Sequence, residues 1–404
     1  MKRKILCTIG TRPEAIKMAP VIHALQADAD FDCRVLATGQ HRQMLDQVLS
    51  VFGITPDVDL DIMQPGQTLT GLTGRLLLRL EEVIATEKPD AILAQGDTTT
   101  VLAIALAAFY GRIPFGHVEA GLRTGNIANP FPEEMNRVVA SHLTRWHFAP
   151  TQLAANRLLA EGYDGDSVHV TGNTVIDALY NVADRNLGTG LNLDPGRRLL
   201  LVTLHRRENF GEPLERICEA LEQLMVNNPD LQMVLPVHHN PNVRQVVHGR
   251  FRDNERVVLC EPLDYAAFVG AMNRATLIMS DSGGVQEEAP ALGKPVLVLR
   301  ETTERPEAVT AGVTRLVGTQ TEAIRSAAQE LLDDPQAYAA MARRESPYGD
   351  GKAASRILAV LRRDLLSKIS GDTLEELLFP KSASSTNLVC MSSGACVSSV
   401  PPTI

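Results

Sequence analysis

No apolar stretch of the chain approaches the ~20 residues that cross a bilayer. The N-terminus has a basic start but only a short apolar run before Thr11-Arg12-Pro13-Glu14, which is not the pattern of a signal peptide. A cytoplasmic protein with no membrane association is expected. C-x-x-C spacing is also missing: Cys7, Cys33, Cys218, Cys260, Cys390 and Cys396 lie scattered, as reduced thiols do, and no metal is expected of them. Positive charge is not in excess. A net charge of -9 argues against nucleic acid as a partner, and any anionic ligand must be held by a local basic pocket against the overall field. No G-x-G-x-x-G follows a strand, so the nicotinamide-binding fingerprint is absent.

What is present is alternation. Short apolar runs at residues 5–9, 34–38, 91–95, 115–119 and 147–150 read as strands, and the segments near 14–27, 41–52, 69–86, 98–109 and 133–144 read as helices. After a polar stretch rich in Gly and Pro the pattern restarts, with strands expected at 199–205, 233–238, 257–262, 276–281 and 295–300. Repeated strand–helix alternation implies parallel sheets covered on both faces. With 404 residues the expectation is α/β, two Rossmann-like doubly wound domains facing each other across a cleft. Their bounds are 1–184 and 198–366, joined by a linker 185–197, with the last helix packing back on the first domain and an atypical, uncharged-ending tail at 367–404. Ligands of such sheets bind beyond the carboxyl ends of the strands, and Arg12, Asp97, Glu119, His205, His238, Asp281 and Arg300 all fall there.

Individual motifs vary in strength. Gly10-Thr11-Arg12 closes a strand and opens a helix that carries Lys17, which suits a diphosphate as well as it suits a solvated basic pair. Ser280-Asp281-Ser282-Gly283-Gly284 is a stronger phosphate site, with two glycines admitting the ligand to backbone N–H groups at a helix start. Glu287 and Glu288 fall in what reads as the first turn of that helix, as dipole-favoured carboxylates or as acceptors of ribose hydroxyls. Asp97 is also where a helix N-cap belongs. His205-Arg206-Arg207-Glu208-Asn209 is too polar merely to end the run LLLVTL. In HVEAGLR (117–123), His117 and Arg123 are expected to orient and neutralise the surroundings of Glu119.

Taken together, GTRPEAIKMAP (10–20), QHRQMLDQVL (40–49), GDTTT (96–100), GHVEAGLRT (116–124), PEEMNR (132–137), TGNTVIDAL (171–179), HRRENFGEP (205–213), SDSGGVQEEAP (280–290), TTERPEAV (302–309) and YGDGKAASRI (348–357) resemble the non-hydrolysing bacterial UDP-N-acetylglucosamine 2-epimerases. The resemblance covers about residues 3–366 and implies a fold of the glycosyltransferase-B type, commonly a homodimer. It implies an isomerase that interconverts UDP-N-acetylglucosamine and UDP-N-acetylmannosamine for surface polysaccharide synthesis, with no cofactor, neither NAD nor metal. UDP is eliminated to a 2-acetamidoglucal and added back. By the same resemblance Asp97, Glu119, Glu133 and His205 are catalytic positions. Arg12, Lys17, Phe268, Ser282, Gly284, Glu288 and Arg305 bind UDP, with Glu288 on the ribose and Phe268 near the uracil. Gln40, Gln43, Gln67, Glu133, Arg206 and His238 match a second, activating substrate site, where Gly66 stands in place of a basic residue. The competing readings are a hydrolysing epimerase, an epimerase of a decorated UDP-sugar, a glycosyltransferase of the same fold and a nucleotide-sugar sensor. Three carboxylates around one sugar speak against the glycosyltransferase and the sensor.

Overall fold

The computed structural model describes residues 2–39, 42–64, 66–344 and 346–366, without the side chains of 42–44. Gln40, the side chain of Gln43 and the tail 367–404 lie outside the described residues. Two parallel sheets form. The first contains β1 (Arg3–Ile9), β2 (Phe31–Ala37), β3 (Val58–Asp59), β4 (Ala91–Gln95), β5 (Phe115–Val118), β6 (Trp146–Ala149) and β7 (Val168–Val170), in the order β3-β2-β1-β4-β5-β6-β7. The second contains β8 (Arg198–Thr203), β9 (Leu231–Pro236), β10 (Val257–Cys260), β11 (Leu277–Ser280), β12 (Val296–Val298) and β13 (Thr314–Leu316), in the order β10-β9-β8-β11-β12-β13. Every pairing is parallel.

All but one of the apolar runs became central strands because helices cover both faces, with all of β4, β5 and β11 buried; the exception is the half-buried edge strand β10. The expected strands lie within a few residues of those observed. Three strands had no such run. β3, β7 and β13 are edge strands of two or three residues, and their sequences, VD, VHV and TRL, contain no continuous apolar run. Asp59 ends one of them.

Chain order reverses between β1 and β4 in the first sheet and between β8 and β11 in the second. The loops beyond these four strands carry Gly10-Thr11-Arg12, Asp97, His205 and Asp281-Ser282. These are the crevices where doubly wound sheets take ligands.

The two sheets share a core. The helix Thr174–Ala183 buries Val175, Ile176, Leu179 and Val182 in one cluster with Ile5 and Ile9 of the first sheet and Leu199, Ile278 and Val296 of the second. Each such side chain stabilises by about 1.5–3 kcal/mol. The segment 185–197 then runs against the helix Tyr265–Arg274, so closely that a Cβ on Gly270 would sit 2.2 Å from the Gly188 carbonyl oxygen.

The last described helix, Ala353–Leu366, returns to the first sheet. Its start is capped by Asp177, which accepts from the N–H groups of Ala353 (3.2 Å) and Ala354 (2.9 Å). Further along, the Trp146 indole donates to Asp364 at 2.7 Å, Arg362 pairs with Asp28 at 2.7 Å, and the Leu365 carbonyl accepts from Arg3. Cys7 and Cys218 are buried free thiols and Cys33 and Cys260 are half-buried ones; Cys390 and Cys396 lie outside the described residues.

Candidate active site

At the end of β1 the chain must turn in little space: a Cβ on Gly10 would meet Thr38 Oγ1 at 2.7 Å. Thr11 caps the helix Arg12–Ala27, and Glu14 closes the capping box by accepting from the Thr11 N–H at 3.1 Å and the Gly10 N–H at 2.5 Å. Its other oxygen accepts from the Thr98 hydroxyl at 2.8 Å, tying the β1 and β4 loops together. Burial pushes the Glu14 carboxyl up to about 7 against these donors. Arg12 stands exposed at the helix start, and Lys17, one turn on, points at Glu119.

Asp97 follows Gly96 beyond β4. It is not the N-cap of the next helix: Thr98 takes that role through Val101, because the helix Thr99–Tyr110 begins one residue later than an Asp97 cap requires. Asp97 is held instead by the helix Glu133–His142. Arg137 donates to its carboxylate at 2.5 Å and Asn136 to its carbonyl at 2.9 Å. From the same helix Glu134 fixes the loop at Thr124 and Gly125, accepting at 2.8 and 3.1 Å, while Glu133 stays half-buried. Burial raises the Asp97 carboxyl from its usual range; Arg137 opposes this and the charges of Glu119 and Glu133 add to it.

Glu119, directly beyond β5, adopts φ +67, a left-handed conformation that costs a non-glycine residue about 1–3 kcal/mol. Its carboxylate accepts from Lys17 Nζ at 2.6 Å and Asn173 Nδ2 at 2.9 Å on one oxygen and from Gln95 on the other. Burial alone would push this group up, yet Lys17, Arg305 and Asn173 hold it below the usual carboxylate range. The expected role for Arg123 is corrected: its guanidinium turns away to Glu161, at 2.8 and 2.9 Å. His117 points to the Gly96 carbonyl at 2.7 Å, and burial lowers its pKa to about 4, leaving a neutral ring that fixes the loop before Asp97.

The second sheet contributes His205, whose Nδ1 lies 2.7 Å from the fully buried Asp281. The same carboxylate accepts from the backbone N–H groups of His205 (3.0 Å) and Arg206 (2.9 Å) and from Asn209 (3.1 Å). Burial works against this charge, but His205 and these donors hold its pKa below the usual value. An ionised Asp281 requires a proton on Nδ1, leaving Nε2 as the working nitrogen.

Ser282 caps the helix Gly283–Ala291 without using its side chain, and Gly283 and Gly284 leave the first turn open. Glu287 and Glu288 lie a turn deeper than expected and are buried, because that side of the helix packs inward. Glu288 accepts from the Tyr265 hydroxyl at 2.7 Å, and burial pushes it up to about 7. Glu287 pairs with Arg305. Phe268, on the same helix as Tyr265, is half-buried against the core.

Of the residues matched to a second site, Arg206 and His238 gather near His205. The His238 and His205 rings are 6.4 Å apart, and a Cβ on Gly283 would lie 3.8 Å from the Arg206 guanidinium. Gln67 bonds instead to Arg75, and among the described residues no contact joins it to Arg206 or His238. Sequence reasoning gave no role to Gln95, Arg137, Asn173 or Tyr265. Gln95 and Asn173 had a usable signal, an amide at or just past a strand end. Among the described residues no group of three His, Cys, Asp or Glu is placed to hold a metal, and no helix is long and apolar enough to cross a membrane.

The family model described as UDP-N-acetylglucosamine 2-epimerase matches residues 23–362. The chain is 53% identical over 369 residues to the UDP-N-acetylglucosamine 2-epimerase of Salmonella typhimurium, covering 89% of this chain and 98% of that one. The crystal structure of UDP-GlcNAc 2-epimerase from Neisseria meningitidis, bound to UDP-GlcNAc, superposes with a TM-score of 0.81 at 47% identity, covering 89% of this chain and all of that one. A glycosyltransferase of kitacinnamycin, at 13% identity and a TM-score of 0.61, shares the fold alone. The fold is thus of the glycosyltransferase-B type, and the chain belongs to the UDP-N-acetylglucosamine 2-epimerase family.

Proposed function

We propose that the protein is a non-hydrolysing isomerase that interconverts UDP-N-acetylglucosamine and UDP-N-acetylmannosamine. The observation that carries the reading is a pair of carboxylates beyond adjacent strands with different partners: Asp97 lies 2.5 Å from Arg137, and Glu119 lies 2.6 Å from Lys17 and 2.9 Å from Asn173, with burial raising the first and these donors lowering the second. Groups pushed apart in this way take different roles in proton transfer. The C2 proton of the sugar is not acidic, since no carbonyl is conjugated to it. The C1–O bond therefore breaks first, its electron pair leaving with UDP, and loss of the C2 proton gives the 2-acetamidoglucal. Return of UDP to C1, with a proton delivered to the other face of C2, completes the epimerisation.

Glu119, ionised, stabilises the cationic C1 and accepts the C2 proton; Asp97, which protonates more readily, delivers a proton from the other side, with Glu133 beside it. His205 acts at the diphosphate through Nε2. Arg12, Lys17 and Arg305 supply positive charge, and the open start of the helix at Ser282 and Gly284 supplies N–H groups for the departing UDP. Glu288 takes the ribose and Phe268 the side of the uracil. Gln40, Gln43, Gln67, Glu133, Arg206 and His238 form the activating site, and the protein works as a cytoplasmic homodimer.

The test is incubation with UDP-N-acetylglucosamine in heavy water, followed by NMR. Deuterium at C2 of both nucleotide sugars is expected, and Glu119→Gln or Asp97→Asn removes it while UDP still binds. Free N-acetylmannosamine without the nucleotide form would make the protein a hydrolase. Transfer of the sugar to an acceptor without C2 exchange would make it a glycosyltransferase.

A further inference from the structure

Asn173 stands between the two halves of the site with every polar group engaged. It is 3% exposed. Its Oδ1 accepts from the Val175 N–H at 3.1 Å, capping the helix Thr174–Ala183, and its own N–H donates to the Tyr348 carbonyl at 2.6 Å. With the carbonyl end of the amide so fixed, Nδ2 can only point away from the helix. Its two hydrogens go to Glu119 Oε1 at 2.9 Å and to Glu287 Oε2 at 3.2 Å. Glu119 belongs to the first sheet and pairs with Lys17; Glu287 belongs to the second and pairs with Arg305. One neutral amide thus separates two carboxylates, each with its own cation. An N-cap requires only the oxygen, and Ser or Asp would serve as well. The amide nitrogen is therefore surplus to the helix.

We propose that Asn173 is a positioning residue, which sets the carboxylate of Glu119 for proton transfer and ties it to the Glu287–Arg305 pair of the second half. The proposal rests on the epimerase reading. Glu119 is held in a left-handed backbone conformation and cannot choose its own direction freely. Asn173 and Lys17 share one of its oxygens, so losing the amide lets the carboxylate follow Lys17 alone. A donor to the ionised form also lowers a carboxylate's pKa, so its loss moves the pKa up.

The test uses N173S, which keeps a capping oxygen and lacks the amide donor, and N173D, which keeps both the shape and the cap. In the full-length enzyme N173S is expected to fold and to bind UDP as the parent does, while N173D, whose new carboxyl faces those of Glu119 and Glu287, is expected to be less stable. C2 deuterium exchange with UDP-N-acetylglucosamine should fall in kcat on the order of 10²-fold, the scale of a misplaced reacting group. In N173S the acid limb of the kcat profile should move to higher pH. A folded N173S with parental kcat and an unmoved limb would overturn the proposal and leave the epimerase reading intact. So would a loss of activity that lies wholly in KM. If the parent itself gave no exchange, the epimerase reading would fail first and this role with it.

Discussion

Replacing Lys17 by Met strips Glu119 of its cation, and the consequence can be read without any substrate. The pair is 2.6 Å apart, with its partners only 16% and 6% exposed, so it lacks the solvent screening that makes a surface pair nearly worthless. Removing one partner of a buried pair costs about 3–5 kcal/mol, chiefly because the other charge is left behind. The pH dependence identifies the cause. In the parent, Glu119 lies below its unfolded value, so its contribution is present above about pH 4.3 and is lost only as pH falls through its lower folded pKa. In K17M burial acts without Lys17 to oppose it, and the folded pKa of Glu119 moves up. The ionised Glu119 then contributes less stability at neutral pH than in the parent, and the difference disappears as the group protonates. Lys17 itself titrates far above this range, since its own folded pKa is raised. The stability gap between parent and variant should therefore be widest at neutral pH. It should narrow by about 1.4 kcal/mol per pH unit between the variant's Glu119 pKa and the lower one of the parent, since the unfolded state is common to both. Urea unfolding of both proteins across this range measures it, and groups such as Glu14 that titrate alike in both cancel. A gap that stays constant with pH, or one under about 1 kcal/mol at neutral pH, would refute the reasoning.

Asp281→Asn leaves His205 free to carry its proton on either nitrogen, and exchange at C2 should fall at least about 100-fold while UDP affinity changes little; a kcat within tenfold of the parent would mean that the tautomer does not matter. Glu288 must be ionised to accept ribose hydroxyls, so UDP affinity measured by calorimetry should weaken as pH falls through about 7. Tyr265→Phe removes a donor that holds the Glu288 pKa down, and should shift that midpoint to higher pH. Gly10→Ala places a methyl 2.7 Å from Thr38 Oγ1 and 3.0 Å from Glu14 Oε2, an overpacking expected to cost about 1–3 kcal/mol, and an unchanged Tm would contradict it.

The central strands were legible because burial on both faces leaves a continuous apolar run, as in AILAQ and LLLVT. The edges were not. β3, β7 and β13 are held by backbone pairing to one neighbour, and no side-chain pattern records that. The candidate site divides along similar lines. Asp97, Glu119 and His205 sit just past buried strands, where any charged group stands out. Arg137 lies in a helix whose polar residues look like an ordinary solvated face, and only the fold turns it onto Asp97. Arg123 shows the opposite error: nearness in sequence to Glu119 proved no guide, because the chain turns at Gly121 and sends the two side chains apart. Glu119 is held down by Lys17, 102 positions away in the chain, and Asp97 is raised by burial against the pull of Arg137, 40 positions away.

The return of the helix Ala353–Leu366 to the first sheet bears on how the molecule is made. A ribosome delivers all seven strands of that sheet long before Ile357, Leu361 and Leu365, the side chains that this helix buries. The first half of a nascent chain thus spends most of its synthesis with an apolar face uncovered, the condition under which partly made domains aggregate or call on chaperones. Only when nearly the whole chain has emerged can Arg362 reach Asp28 and Asp364 reach Trp146.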